Sequence, residues 1–259
     1  MYQSMCGYSA RISYCASSAP NYSSNSEGSV QYSPLEVAVH SPQPTEFINN
    51  FQPSMPGMYS ANKNYETVLH HSQQYYFSPN PFLNPNRKRQ RFIGKDEDIE
   101  SLINEAFEKT TNTQLPDDID IVICSEKEFK EKLDIDNPGV RGVTLNRRHM
   151  GQITQVFVKE DELDKVMLTI GHELGHAITL PINNEIQEEA KAFAFQIAWM
   201  QNVHEHDIGN LKFSINLDFN PATNGVHNVA FNQVAHLVSN GDSPLIIFNK
   251  IINNEVQIE

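Results

Sequence analysis

His172, Glu173 and His176 stand in the run Thr169-Ile170-Gly171-His172-Glu173-Leu174-Gly175-His176-Ala177-Ile178, an H-E-x-x-H pattern. On an α-helix, residues four apart lie one above the other, so both imidazoles share a face and can bind one metal ion at about 2.0 to 2.1 Å. Glu173 falls beside the two histidines, where its carboxylate cannot easily complete the chelate but can take a proton from a water molecule held on the metal. The interior of the motif, Leu174 and Gly175, is uncharged, and apolar Val166, Met167 and Ile170 precede it at helical spacing. The chemistry this pattern supports is hydrolysis by a metal-activated water, with Glu173 as general base. The plain alternative is a metal-free structural helix on which His172 and His176 are surface histidines.

A catalytic zinc commonly keeps three protein ligands and one open position, so a further donor is required. Residues 184–195 read as the next helix, with Gln187, Glu188 and Lys191 along its polar edge. At about 100° per residue, Glu189 lies almost opposite that edge, together with Ala192, Phe193 and Gln196. A buried carboxylate is costly without a cation to meet it, which makes Glu189 the leading third ligand. Glu185 shares its face one turn earlier and Glu188 adjoins it, so both remain candidates. A solvated acidic first turn, favourable at a helix N-terminus, is the competing explanation for all three.

From about Phe92 onward the chain resembles a small gluzincin metallopeptidase, in which H-E-x-x-H on one helix is joined by a glutamate from a later helix. The second signature of that clan is often E-x-x-[A/S]-[D/N/E]. Glu189-Ala190-Lys191-Ala192 matches its first four places, and Phe193 departs from the last, where a polar residue commonly supports a ligating histidine. Another register sets residues 190–194 against the A-N-x-F-A run of intracellular metallopeptidases that cleave phage repressors or control radiation responses, and puts Gln187 in the place of their glutamate. The resemblance implies Zn2+ as cofactor, a peptide or protein substrate, and an edge strand beside the motif helix that pairs with extended substrate. Residues 153–159 are the candidate strand. It also implies a His or Tyr that donates to the oxyanion; of His204, His206, His227 and His236, His227 is the candidate, at the start of an expected helix.

Composition divides the 259 residues into three parts. Residues 1–86 are rich in Ser, Asn, Pro, Tyr and Gln without sustained apolar periodicity, so they are expected to form a disordered tail. Residues 87–91, Arg-Lys-Arg-Gln-Arg, form a basic junction, expected to be solvated and too short for sequence-specific recognition of nucleic acid. Residues 92–259 carry 13 Lys plus Arg against 28 Asp plus Glu, a formal charge of −15. Such a surface repels nucleic acid and draws basic peptides. Cys6, Cys15 and Cys124 are too scattered for a disulfide framework or a cysteine zinc site. No run approaches the roughly 20 apolar residues of a membrane span and no secretory pattern opens the chain, so a cytoplasmic protein without membrane association is expected.

The elements that must position the motif follow from periodicity. Asp96 is expected to cap a helix to about Thr110, with Ile99, Leu102, Ile103, Ala106 and Phe107 on one face. Ile119, Ile121 and Ile123 alternate as a strand, and Ser125 with Glu128 forms a capping box for a short helix to Leu133. Strands at 140–145 and 153–159 flank the loop 147–151, and Glu160 and Asp161 open the motif helix. Further helices are expected near 225–239 and 243–256. The fold class is therefore α+β, a minimal zincin-like domain: a small, mostly antiparallel sheet packed on the motif helix, then a helical C-terminal half. The function expected is zinc-dependent peptide hydrolysis, the alternative a zinc-bearing regulatory or protein-binding module that does not cut. Oligomeric state is not encoded in any pattern found.

Overall fold

The computed structural model describes residues 77–218 and 226–258, with the side chains of residues 226 and 227 outside the description. The tail assigned to residues 1–86 lies outside the described residues as far as residue 76. Helix α1 spans Glu100–Thr111, α2 Glu126–Leu133, α3 Leu163–Ala177, α4 Glu185–Glu205, α5 Val226–Ser239 and α6 Pro244–Ile252. Strands are β1 Phe92–Ile93, β2 Ile119–Cys124, β3 Gly142–Leu145, β4 Thr154–Lys159 and β5 Asp161–Glu162. The chain is mixed α+β.

Local rules account for most boundaries. The Ser125 side chain accepts from the Glu128 backbone while Glu128 reaches back to Ser125, the reciprocal box the sequence calls for at the start of α2. Asp96, expected to cap α1, instead opens a short 3-10 turn over Asp96–Asp98, and α1 starts at Glu100 behind Ile99. Its first turn is thus set by burial of Ile99 and Ile103 rather than by a side-chain cap.

The principal sheet has the order β2-β4-β3. β2 runs parallel to β4 from Ile119↔Thr154 to Cys124↔Lys159, and β3 runs antiparallel to it from Gly142↔Val158 to Leu145↔Gln155. The longest ladder is therefore parallel, which corrects the expectation of a mostly antiparallel sheet. Helix α2 lies between β2 and β4 in the chain, the crossover that parallel neighbours need. β4 also sits in the centre, so residues 153–159 cannot offer a free edge; the expectation of a substrate-pairing strand there fails. The two short strands β1 and β5 form a separate antiparallel pair just before α3.

Alternation along β2 and β4 feeds two cores. Ile119, Ile123, Val156 and Val158 pack with α3 in the main core, whereas Cys124 and Phe157 pack with Phe129 and Leu133 of α2 on the opposite face. Helix α4 lies at the centre of the helical half, contacted by α1, α3, α5 and α6. It is buried on every face from Ala190 to Met200, with Phe195, Ile197, Trp199 and Met200 fully buried.

Residues 77–86 belong to this domain, a correction to the tail boundary. Phe77, Phe82 and Leu83 are in the main core, Leu83 bridges to Ile215, and the Asn84 side chain donates to the carbonyls of Phe213 and Ile215. The basic junction is only partly solvated. Arg89 is 87% exposed, but Arg87 pairs with the fully buried Asp164 at 2.5 Å and with Glu162 at 2.9 Å, at the start of α3.

Candidate metal centre

The metal-ligating pattern closes because α3 and α4 run side by side at unusually short range. An added Cβ on Gly175 would lie 2.6 Å from Ala192 Cα, and one on Gly171 would lie 2.5 Å from the Trp199 ring. Only glycine tolerates such approach, so Gly171 and Gly175 let the backbone of α4 press against α3. Trp199 fastens the contact by donating Nε1–H to Met167 O at 3.0 Å. Along α4, the residues facing α3 are Glu189, Ala192, Gln196 and Trp199, one stripe at helical spacing.

That stripe carries Glu189 to both imidazoles. His172 Nε2 is 3.5 Å from Glu189 Oε2, and His176 Nε2 is 3.8 Å from Glu189 Oε1. One donor atom from each of His172, His176 and Glu189 falls within 4.8 Å of the others, a group that could hold a metal ion. Glu185, the earlier candidate on the same face, is outside this group.

Each histidine of this group has its other nitrogen engaged. His172 Nδ1 meets Gln196 Oε1 at 3.3 Å, and His176 Nδ1 donates to Glu188 Oε1 at 2.8 Å. With Nδ1 engaged in this way, Nε2 is the nitrogen of each ring that faces Glu189, and it would carry the lone pair in the neutral imidazole. Glu188 thus supports His176 and is outside the group of His172, His176 and Glu189. It supplies the polar partner that Phe193 could not, from one position before Glu189 instead of four after it. Its second oxygen accepts the Ile182 N–H at 2.7 Å, and the fully buried Lys191 ammonium lies 2.8 Å from Oε1. Gln187, Glu188 and Lys191, expected on a polar edge, are all buried; Lys191 also donates to Leu180 O at 3.3 Å.

Electrostatics follow from these contacts. Burial alone would depress His176, but the Glu188 hydrogen bond and the charges of Glu189, Glu188 and Glu173 outweigh it and raise the imidazole to about 9. Burial dominates at His172 and pushes it down. Burial also works against ionisation of Glu188, yet His176 and Lys191 overcome it and hold that carboxyl below its usual range.

Glu173 is 6% exposed and is positioned by β3. Thr144 Oγ1 lies 2.8 Å from Glu173 Oε2 and 3.0 Å from Glu173 O. Gly142 lies under the same side chain, where a Cβ would come within 2.7 Å of Glu173 Cγ and Thr169 Cγ2. The loop after β3 closes the C-terminal end of α3: Asn146 Nδ2 donates to His176 O at 2.8 Å and Thr179 O at 2.6 Å, and Arg148 Nε donates to Ala177 O at 3.0 Å. These donors satisfy carbonyls that a helix end leaves open, and the guanidinium suits the negative pole there. Neither Gly142 nor Thr144 was identifiable from local patterns.

Of the four histidines considered as oxyanion donors, three have described side chains. His227 falls in the first turn of α5, and its side chain is outside the described residues. His204 lies in the last turn of α4, about 22 Å along the helix from Glu189 at about 1.5 Å per residue, and His206 follows as its C-cap. His236 is exposed and paired with Asn240. No described helix is long and apolar enough to cross a membrane. No known protein family, curated protein or solved structure matches the chain.

Proposed function

We propose that the chain is a zinc-dependent metallopeptidase that hydrolyses peptide bonds with Glu173 as general base. The observation that carries this reading is the convergence of His172, His176 and Glu189 within 4.8 Å, with Glu173 beside them. Two neutral imidazole nitrogens and one carboxylate oxygen are a donor set that suits zinc, and both imidazoles have their remaining N–H engaged. Zn2+ held by these residues would polarise a carbonyl and lower the pKa of a water molecule from 15.7 toward about 7.

The chain's own groups do the rest. Glu173 takes the proton from water and passes it to the leaving amine, a transfer that its burial and its Thr144 contact keep in one geometry. β3 is the edge strand beside α3, and among the described residues nothing pairs with its outer side. An extended peptide adding to that edge would lie over Glu173, aligned by main-chain hydrogen bonds. The negative charge of residues 92–259 favours basic substrates.

The test pairs metal content with turnover. Glu189→Ala should lose stoichiometric zinc, whereas Glu173→Gln should keep it and lose cleavage of a basic peptide library read by mass spectrometry. Cleavage by Glu173→Gln at the wild-type rate would remove the base assignment. Zinc-loaded wild type that binds the peptides without cutting them would favour the regulatory, non-catalytic module.

A further inference from the structure

The segment just before the basic junction supplies one wall of the metal centre. Phe77 is buried, and its ring lies 4.5 Å from that of His172 with the planes 11° apart, a parallel stack on a ligand imidazole. Phe193 of α4 leans on the same imidazole at 4.8 Å and 60°. At the edges of the same ring, Gln196 meets Nδ1 and Glu189 faces Nε2.

Phe77 is itself anchored. It stacks with Phe82 at 5.7 Å, and Phe82 in turn meets Phe231 of α5 at 5.5 Å. Asn216 N donates to Phe82 O at 2.9 Å, Asn84 N donates to Ser214 O at 2.8 Å, and Arg87 is pinned to Asp164. The stretch from Phe77 to Arg87 is therefore tied at both ends across the helical half.

We propose that Phe77 is a positioning residue for the metal ligand His172, a role that rests on the metal-centre reading above. An imidazole swings about its Cβ–Cγ bond, and only one orientation presents Nε2 to Glu189 while Nδ1 meets Gln196. The parallel phenyl ring restricts that swing and keeps water off one face of the imidazole. Phe82 anchors the segment through Phe77 and Phe231. The two residues therefore separate positioning from plain packing.

The experiment compares Phe77→Leu, Phe77→Tyr and Phe82→Leu in the full chain. Zn2+ affinity is measured by competition with a chromophoric chelator, the absorption of the Co2+-loaded protein reports ligand geometry, and thermal unfolding of the metal-free protein reports packing. Phe77→Leu keeps apolar volume but removes the ring face, and is expected to weaken Zn2+ binding about tenfold, the lower end for lost support of a ligand, with a changed cobalt spectrum. Phe77→Tyr retains the ring and should stay near wild type. Phe82→Leu should lower the unfolding temperature comparably while costing much less Zn2+ affinity than Phe77→Leu and leaving the cobalt spectrum close to wild type. Wild-type affinity in Phe77→Leu, or equal losses in the Phe77 and Phe82 leucine variants, would overturn the assignment alone. Wild type that binds no Zn2+ would overturn it together with the metal centre.

Discussion

Glu188 accepts the Nδ1 proton of His176 at 2.8 Å while the Lys191 ammonium sits 2.8 Å from the same oxygen. A buried carboxylate is thereby shared between a ligand imidazole and a lysine that has no exposure. Glu188→Gln keeps the shape but weakens the acceptor and leaves Lys191 without its counter-charge. Zinc affinity should fall about 10- to 100-fold, the range for lost second-sphere carboxylates. Chelator competition measures it, with exposed Glu205→Gln as control; equal affinity in the two variants would count against the assigned support.

Metal binding should release a proton and depend on pH. His176 is raised to about 9 in the metal-free protein, and a metal needs its neutral form. Below pH 9 a proton therefore competes, and zinc affinity should climb about tenfold per pH unit from near 7 until it levels above 9. The sign for the metal-free fold is opposite: a raised folded-state pKa stabilises most below about 6.5, and that contribution is lost as pH rises through about 9. Calorimetric titration in buffers of different ionisation enthalpy counts the proton. A flat affinity between pH 7 and 9 would contradict the His176–Glu188 arrangement.

Gly175→Ala should damage stability and metal binding together. Its Cβ meets the Ala192 backbone at 2.6 Å, and backbone cannot move aside as a flexible side chain would. Overpacking of this kind costs about 1 to 3 kcal/mol and pushes α4, with Glu189, away from α3. Urea unfolding in the presence of chelator isolates the packing cost, and zinc titration reads the displacement. An unchanged midpoint would mean that the helices are not in such close contact.

Arg87→Ala and Arg89→Ala should behave very differently despite standing in one basic run. Arg87 is the partner of Asp164, whose side chain is fully buried, so its loss strands a charge at a cost of about 3 to 5 kcal/mol. Arg89 is largely exposed and pairs with Glu162 at 3.2 Å, a contact worth at most about 1 kcal/mol. Equilibrium unfolding of the two variants makes the comparison.

Residues 172, 173, 176 and 189 are legible because each depends on helical phase, a local property. The capping box and the alternation of β2 and β4 are legible for the same reason. What escapes is set by partners far along the chain. β4 reads as any amphipathic strand, and only the pairing of β2 on one side and β3 on the other makes it central. Lys191 reads as a polar surface residue until Glu188, three positions earlier, is found beneath the same cover. Phe77, Phe82 and Leu83 are three anchors diluted among Ser, Pro and Asn, so average composition hides them. Gly142 and Thr144 sit on a four-residue strand with no period long enough to announce a face.

His172 and His176 come from one limb of a helical hairpin and Glu189 from the other, joined through residues 178–184. Any ion gripped by all three would therefore also be a rivet between two helices already joined by close glycine contacts and the Trp199 hydrogen bond. Loading and folding become linked quantities: occupancy at a hundred times the dissociation constant would add about 2.7 kcal/mol to the resistance to unfolding. Chelation would then loosen the α3–α4 seam as well as silence any chemistry there.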